Sequence, residues 1–206
     1  MSEMALFALG LGLGVRHATD PDHVVAVTTL VQRERGIGRI LGVAALWGLG
    51  HTLTFVVVGL LVLVAGLRMP PTVERLAEGL VALTLVGLGI WHLGREWRPP
   101  TGVVTTDRGS GMRSMGVGVI HGLAGSAGMA LLFGSTLHGP LQTIGYLLAF
   151  GVGTVIGMLA LTGAASLPLG WLIGSGGRWR LVTVHASALL AIALGVTMLI
   201  ASARGG

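Results

Sequence analysis

Two imidazoles and two carboxylates fall within seven residues, His17-Ala18-Thr19-Asp20-Pro21-Asp22-His23. They interrupt an apolar stretch, Met4 to Val31, that is long enough to cross a bilayer. An ionisable group at membrane depth costs several kcal/mol unless it is paired, bound to a cation or facing water. Imidazole with carboxylate is the donor set that suits borderline divalent metals. The chemistry to expect is therefore the capture of a metal ion inside a membrane.

Pro21 lacks an amide hydrogen and disfavours helix at the residue before it. Asp20-Pro21 reads as a helix cap followed by the first position of a new helix, so the first span is expected to break near Ala18–Asp20. In a straight helix His17 and His23 are separated by about 600° of rotation and face roughly opposite ways. A break would let His17, Asp22 and His23 converge, and Asp20 is read as a cap as readily as a ligand. His51, in Gly48-Leu49-Gly50-His51-Thr52, and His121, in His121-Gly122-Leu123-Ala124-Gly125-Ser126, are further intramembrane imidazoles and join the candidate metal ligands. Arg16 is an accessory candidate that could neutralise a nearby Asp or reach for the interface. Ser126 could add a hydroxyl but is expected to serve packing. Interfacial roles are expected for His92, His138 and His185.

The chain of 206 residues is 52% hydrophobic and 10% charged, with a mean hydropathy of +0.85. A soluble domain would carry about a quarter charged residues, so this composition belongs to an all-α integral membrane protein. The 36 glycines suit close helix packing in lipid. Cysteine is absent, which removes thiolate sites and disulfides. The net charge of +5 is carried by arginine alone, and its placement between apolar segments argues for membrane topology rather than a nucleic-acid surface. The Met1-Ser2-Glu3 start has no basic region of the kind that opens a cleavable signal peptide.

Six spans are expected: Met4–Val31, Ile40–Leu67, Leu76–Leu93, Met115–Thr136, Leu141–Leu172 and Leu181–Ala203. Nine arginines (Arg33, Arg35, Arg39, Arg95, Arg98, Arg108, Arg113, Arg178 and Arg180) follow the odd-numbered spans. Three (Arg68, Arg75 and Arg204) lie on the other side. The imbalance predicts both termini outside the cytoplasm, and Trp91, Trp97, Trp171 and Trp179 form an aromatic belt at the arginine-rich ends.

The two halves resemble each other. Gly14-Val15-Arg16-His17 matches Gly118-Val119-Ile120-His121 at an offset of 104 residues, and Gly48-Leu49-Gly50 matches Gly151-Val152-Gly153 at 103. The expected organisation is a single transmembrane domain with repeats at 1–94 and 115–206 joined by a cytoplasmic loop at 95–114. An odd number of spans per repeat would invert one half against the other, placing a substrate site near the midplane.

His17-x4-Asp22-His23 resembles the signature of the nickel–cobalt transporter (NiCoT/NicO) superfamily. The longer string His17 to Val24 is similar to that of its short, six-span, urease-accessory-type members. Leu49-Gly50-His51-Thr52 and His121-Gly122-Leu123-Ala124-Gly125-Ser126-Ala127 look like the superfamily's later motifs. The resemblance covers about residues 10–160. It implies secondary transport of Ni²⁺, sometimes Co²⁺, across the cytoplasmic membrane, with His17, Asp22 and His23 essential. The longer members have eight spans and acidic later motifs that have no match here. The His-rich loop common among exporters is also missing, which favours uptake.

The expectation is thus a transporter rather than an enzyme, working by alternating access. Its partners would be a divalent ion as substrate and the lipid bilayer, with no prosthetic group, no nucleic acid and room for a homo-oligomer. Neutral imidazole binds metal, so affinity should fall as pH drops through about 6–7. The alternatives are a metal exporter, a proton-coupled carrier of another solute, and an intramembrane metalloenzyme. The last lacks the His-Glu-x-x-His helix usual for that chemistry. With no lysine in the chain, ATP use would require a partner subunit.

Overall fold

The computed structural model describes residues 3–32, 34, 36–63, 70–96, 109–124, 137, 139–174 and 177–204, with side chains except at 96, 167–174 and 177–180. Seven helices occupy these residues: α1 (Glu3–His17), α2 (Pro21–Val31), α3 (Ile37–Leu63), α4 (Pro71–Glu96), α5 (Gly109–His121), α6 (Pro140–Gly174) and α7 (Gly177–Arg204). Three of them begin on proline, whose missing amide hydrogen costs nothing at a helix start. Gly36 takes a φ of +87° in the turn before α3, a conformation that other residues adopt poorly.

Four helices carry stretches long and apolar enough to cross a membrane: Ile37–Leu63, Pro71–Arg95, Pro140–Ser166 and Leu181–Arg204. The protein is therefore an all-α, multi-pass membrane protein. The first expected span is two shorter helices, α1 and α2, separated by a turn at Ala18–Asp20. Where the fourth span is expected, helix α5 starts earlier than Met115, at Gly109, and helical geometry ends after His121. His138, Ser126 and Trp97, and most of the arginine-bearing loops, lie outside the described residues, as do the side chains of Trp171 and Trp179.

Helix directions follow from the residues in contact. On α1 and α6 the numbers rise together: Gly10 meets Tyr146, Gly14 meets Phe150 and Gly157 meets Val15. They also rise together on α5 and α3, where the Ser114 hydroxyl donates to the Val43 carbonyl at 2.7 Å, Gly118 meets Trp47 and Gly122 meets His51. Between α3 and α6 they run oppositely: Gly48 meets Val155, and the Thr52 hydroxyl donates to the Gly151 carbonyl at 3.1 Å. So α1 and α5 point in opposite directions.

These contacts come in exchanged pairs. A methyl group at Gly14 would fall on the Phe150 carbonyl and the Thr154 amide; one at Gly118 would fall on the Trp47 carbonyl and the His51 amide. Each residue in the second contact is the 103- or 104-residue equivalent of one in the first. Gly50 against Met115 is likewise exchanged with Gly153 against Leu11. On the α4–α7 pair, Gly89 sits under the Ala188 carbonyl and Gly195 under the Ala82 carbonyl, both at 2.6 Å for an added methyl. The turns after α1 and α5 match as well: the amides of Ala18, Thr19 and Asp20 bond the carbonyls of Gly14, Arg16 and His17, and those of Gly122, Leu123 and Ala124 bond Gly118, Ile120 and His121. Reciprocal contacts of this kind are what a two-fold relation between repeats produces. Both halves use glycine where one backbone lies directly on another.

Two glycine classes test this packing. Gly14→Val and Gly118→Val should each destabilise the protein by roughly 1–3 kcal/mol through overpacking, seen as an earlier thermal transition in detergent. Gly12→Ala and Gly116→Ala, equivalent positions with nothing within 4 Å of the new methyl, should leave it unchanged or raise it.

Candidate metal centre

His17 is the last residue of α1, and Asp22 and His23 lie in the first turn of α2. The turn at Ala18–Asp20 folds the two half-helices so that these side chains meet. His51 comes from the middle of α3, and His121 ends α5, which glycines 118 and 122 let lie directly on the α3 backbone at Trp47 and His51. The four histidines are buried, with His23 and His121 fully enclosed.

The imidazoles form one cluster. Ring centroids are 4.4 Å apart for His17 and His23, 4.9 Å for His23 and His51, 5.2 Å for His17 and His51, and 5.9 Å for His23 and His121. His17 Nε2 faces His51 Nε2 at 3.2 Å. Two nitrogens each about 2.0–2.1 Å from one ion would stand roughly 2.9–3.4 Å apart, so this separation already matches shared ligation. One ligand atom from each of His17, His23 and His51 lies within 4.8 Å of the others, and the same holds for Asp20, Asp22 and His23. His23 belongs to both sets.

Hydrogen bonding fixes which nitrogens are free. His17 Nδ1 donates to Asp20 Oδ2 at 2.8 Å, leaving Nε2 as the lone-pair atom that faces His51. Asp22 Oδ1 stands 3.0 Å from His23 Nδ1 at ion-pair distance but out of hydrogen-bond alignment, so both ring nitrogens of His23 lack a hydrogen-bond partner among the described residues. His121 Nδ1 donates to the Val117 carbonyl at 3.0 Å, and its Nε2 is buried without a partner, as is Nδ1 of His51. Orphaned buried nitrogens are costly. A metal ion would satisfy one nitrogen of each ring it binds, and carboxylate–imidazole–metal relays such as Asp20–His17 orient ligands in this manner.

Asp20 occupies the N-cap position of α2 but makes no side-chain cap bond; its carboxylate is turned to His17 instead. Arg16 is exposed and forms no ion pair among the described residues, so it does not neutralise Asp20 or Asp22 here. His92 is buried in α4, and the half-exposed His185 donates Nδ1 to the Leu181 carbonyl at 2.7 Å. Neither joins the cluster.

Sequence reasoning passed over Trp47 and Phe150. Trp47 stacks on His51 at 5.3 Å and 3°, and also touches His23 and His121 at 5.1 and 5.5 Å. Phe150 covers His17 at 5.2 Å. The available signal was position: Trp47 lies in mid-span, four residues before His51, whereas interfacial tryptophans sit at span ends.

The chain is 33% identical to the urease accessory protein UreH of Bacillus sp. (strain TB-90) over 177 residues, 80% of this chain and 78% of the relative. It belongs to the UreH family. Two longer relatives from Arabidopsis thaliana also match the UreH-family chain: chloroplast protein FOR GROWTH AND FERTILITY 2, 30% identical over 95% of this chain, and FOR GROWTH AND FERTILITY 1, 31% identical over 69%. The chain spans about half the length of these two, 56% and 44%. No protein-family model and no solved structure matches.

If this UreH-family cluster holds a metal, its ligands and orienting groups should separate by calorimetry on purified protein. His17→Ala, His23→Ala and His51→Ala should each weaken Ni²⁺ binding by more than about 100-fold, beyond the loss expected for an orienting group. Asp20→Asn, which keeps the shape but weakens the hold on His17, should cost about 10–100-fold in affinity.

Proposed function

We propose that this protein is a secondary transporter of Ni²⁺, with Co²⁺ as the alternative cargo, working in the cytoplasmic membrane. The observation that carries the reading is the placement of three imidazoles and two carboxylates at a helix break inside a membrane protein. A structural role would not need so many ligating atoms at that depth. The six-span resemblance noted in the sequence and kinship with a urease accessory protein support nickel as the cargo.

On this reading the chain is one domain of two inverted three-span repeats, about 1–94 and 115–206. α1 with α2 forms the first span, and α5 opens the fourth. The opposite directions of α1 and α5 and the exchanged glycine contacts support it. Inverted repeats place the substrate at their interface, where discontinuous helices offer free backbone groups to an ion. The ion would lose its water to His17, His23 and His51, with Asp22 supplying charge, Asp20 holding His17 in its tautomer, and His121 closing the shell. Rocking one half against the other would then expose the site to the opposite side. The arginine distribution supports termini outside the cytoplasm, and the absence of a His-rich loop supports uptake.

The test is ⁶³Ni²⁺ uptake into proteoliposomes, with Co²⁺, Zn²⁺ and Mn²⁺ as competitors. Saturable uptake inhibited most strongly by Co²⁺, and lowered at least about tenfold by His23→Ala, is the expected result. Uptake no faster than in protein-free liposomes would overturn the proposal.

A further inference from the structure

The His cluster is enclosed between two apolar plugs made of equivalent residues. On α3, Trp47, His51 and Phe55 succeed one another at four-residue intervals, so they share one face in the order plug, site, plug. On α6, Phe150, Thr154 and Met158 do the same. Phe55 and Phe150 pack together at 4.5 Å, with Tyr146 and Leu147 in the same buried group and Leu13 of α1 against it. Trp47 and Met158 pack with Ala18 and Val27, with Val117 of α5 against them. Phe150 touches His17 from one end; Trp47 touches His51, His23 and His121 from the other.

The repeat relation exchanges three members of each plug. Trp47 and Phe150 are 103 residues apart, as are Phe55 and Met158, and Leu13 and Val117 are 104 apart. Beyond the Phe150 plug, toward the start of α1, lies a cleft of about 210 Å³ lined by Glu3, Leu6, Phe7, Gln142 and Tyr146. Tyr146 belongs both to that cleft and to the plug beneath it.

We infer that Phe150 with Phe55 and Leu13, and Trp47 with Met158 and Val117, are the two gates of the ion path, and that the structure is the occluded state with both closed. The inference rests on the transport reading and deepens it. A hydrated divalent ion cannot pass an apolar constriction at low cost, so each plug seals the site until its residues part. Because the halves are inverted, a movement that parts one plug has its counterpart at the other, and the two faces open by equivalent rearrangements. The Phe150 gate faces the side of the membrane that holds the start of α1, and the Trp47 gate the side that holds the start of α3. The aromatic identities differ because Trp47 also stacks on a ligand, His51, whereas the residue equivalent to His51 is Thr154.

The chain has no cysteine, so a single thiol reports access. His121→Cys places one within the cluster, and a membrane-impermeant thiol reagent is applied to right-side-out or inverted vesicles without metal. In this background the thiol should react slowly from both faces. Phe150→Ala should speed reaction at least about tenfold from the α1-start face only, and Trp47→Ala from the opposite face only. Should either variant fail to give a monodisperse protein, Leu13→Ala and Val117→Ala test the same two gates without touching an imidazole. Acceleration from the same face by both partners, from both faces by one, or from neither would overturn the assignment. Since no metal is present, the result is independent of nickel transport. Face-specific gating without ⁶³Ni²⁺ uptake would refute the cargo and keep the gates, and uptake without face-specific gating would do the reverse.

Discussion

Everything else in this fold is arranged around the interruption between His17 and Pro21. A continuous helix would send His17 and His23 to different faces and leave four ionisable side chains to be solvated separately in lipid. The turn at Ala18–Asp20 brings them together, and its amides are satisfied locally by the carbonyls of Gly14, Arg16 and His17. Proline at position 21 makes the interruption cheap. Its missing amide hydrogen falls where a helix start needs none.

Closure of the site then depends on how near α5 can come to α3. His121 reaches the cluster because glycines 118 and 122 let its helix rest on the Trp47 and His51 carbonyls. The equivalent approach, Gly14 on the Phe150 carbonyl, sets α1 against α6 and carries His17 to its place. One packing rule used twice thus builds a near-symmetric frame. The chemistry placed in that frame is not symmetric. His17 has an equivalent in His121, but Asp20 corresponds to Ala124 and His51 to Thr154. The donors concentrate in the first half, which yields one deep site rather than two shallow ones.

The side chains that cluster in the candidate site were legible in the sequence because polar groups stand out sharply against an apolar span. His17, Asp22, His23, His51 and His121 all carry that signal, and Pro21 marks the break. The paired glycine contacts of the two halves left a trace in the sequence too, since close helix contact demands glycine. The role of Asp20 was not. A carboxylate before proline has the same local pattern whether it caps its helix or turns back to orient an imidazole, and only the position of His17 decides. Trp47 and Phe150 were hidden for another reason. Half the chain is apolar, so Trp47 was marked only by its mid-span position, and nothing local distinguishes Phe150 from a ring that fills a gap. The earlier start of α5, at Gly109, escaped notice because its first turns are polar and glycine-rich, Gly109-Ser110-Gly111-Met112-Arg113.

The central claim is that His17, His23 and His51 converge on one ion. X-ray absorption at the nickel edge of the Ni²⁺-loaded protein addresses it directly. The account predicts a nitrogen/oxygen first shell at about 2.0–2.1 Å, with outer-shell scattering that requires at least three imidazoles and loses one in His51→Ala. A first shell of oxygen alone, with no imidazole scattering and no change in that variant, would contradict it.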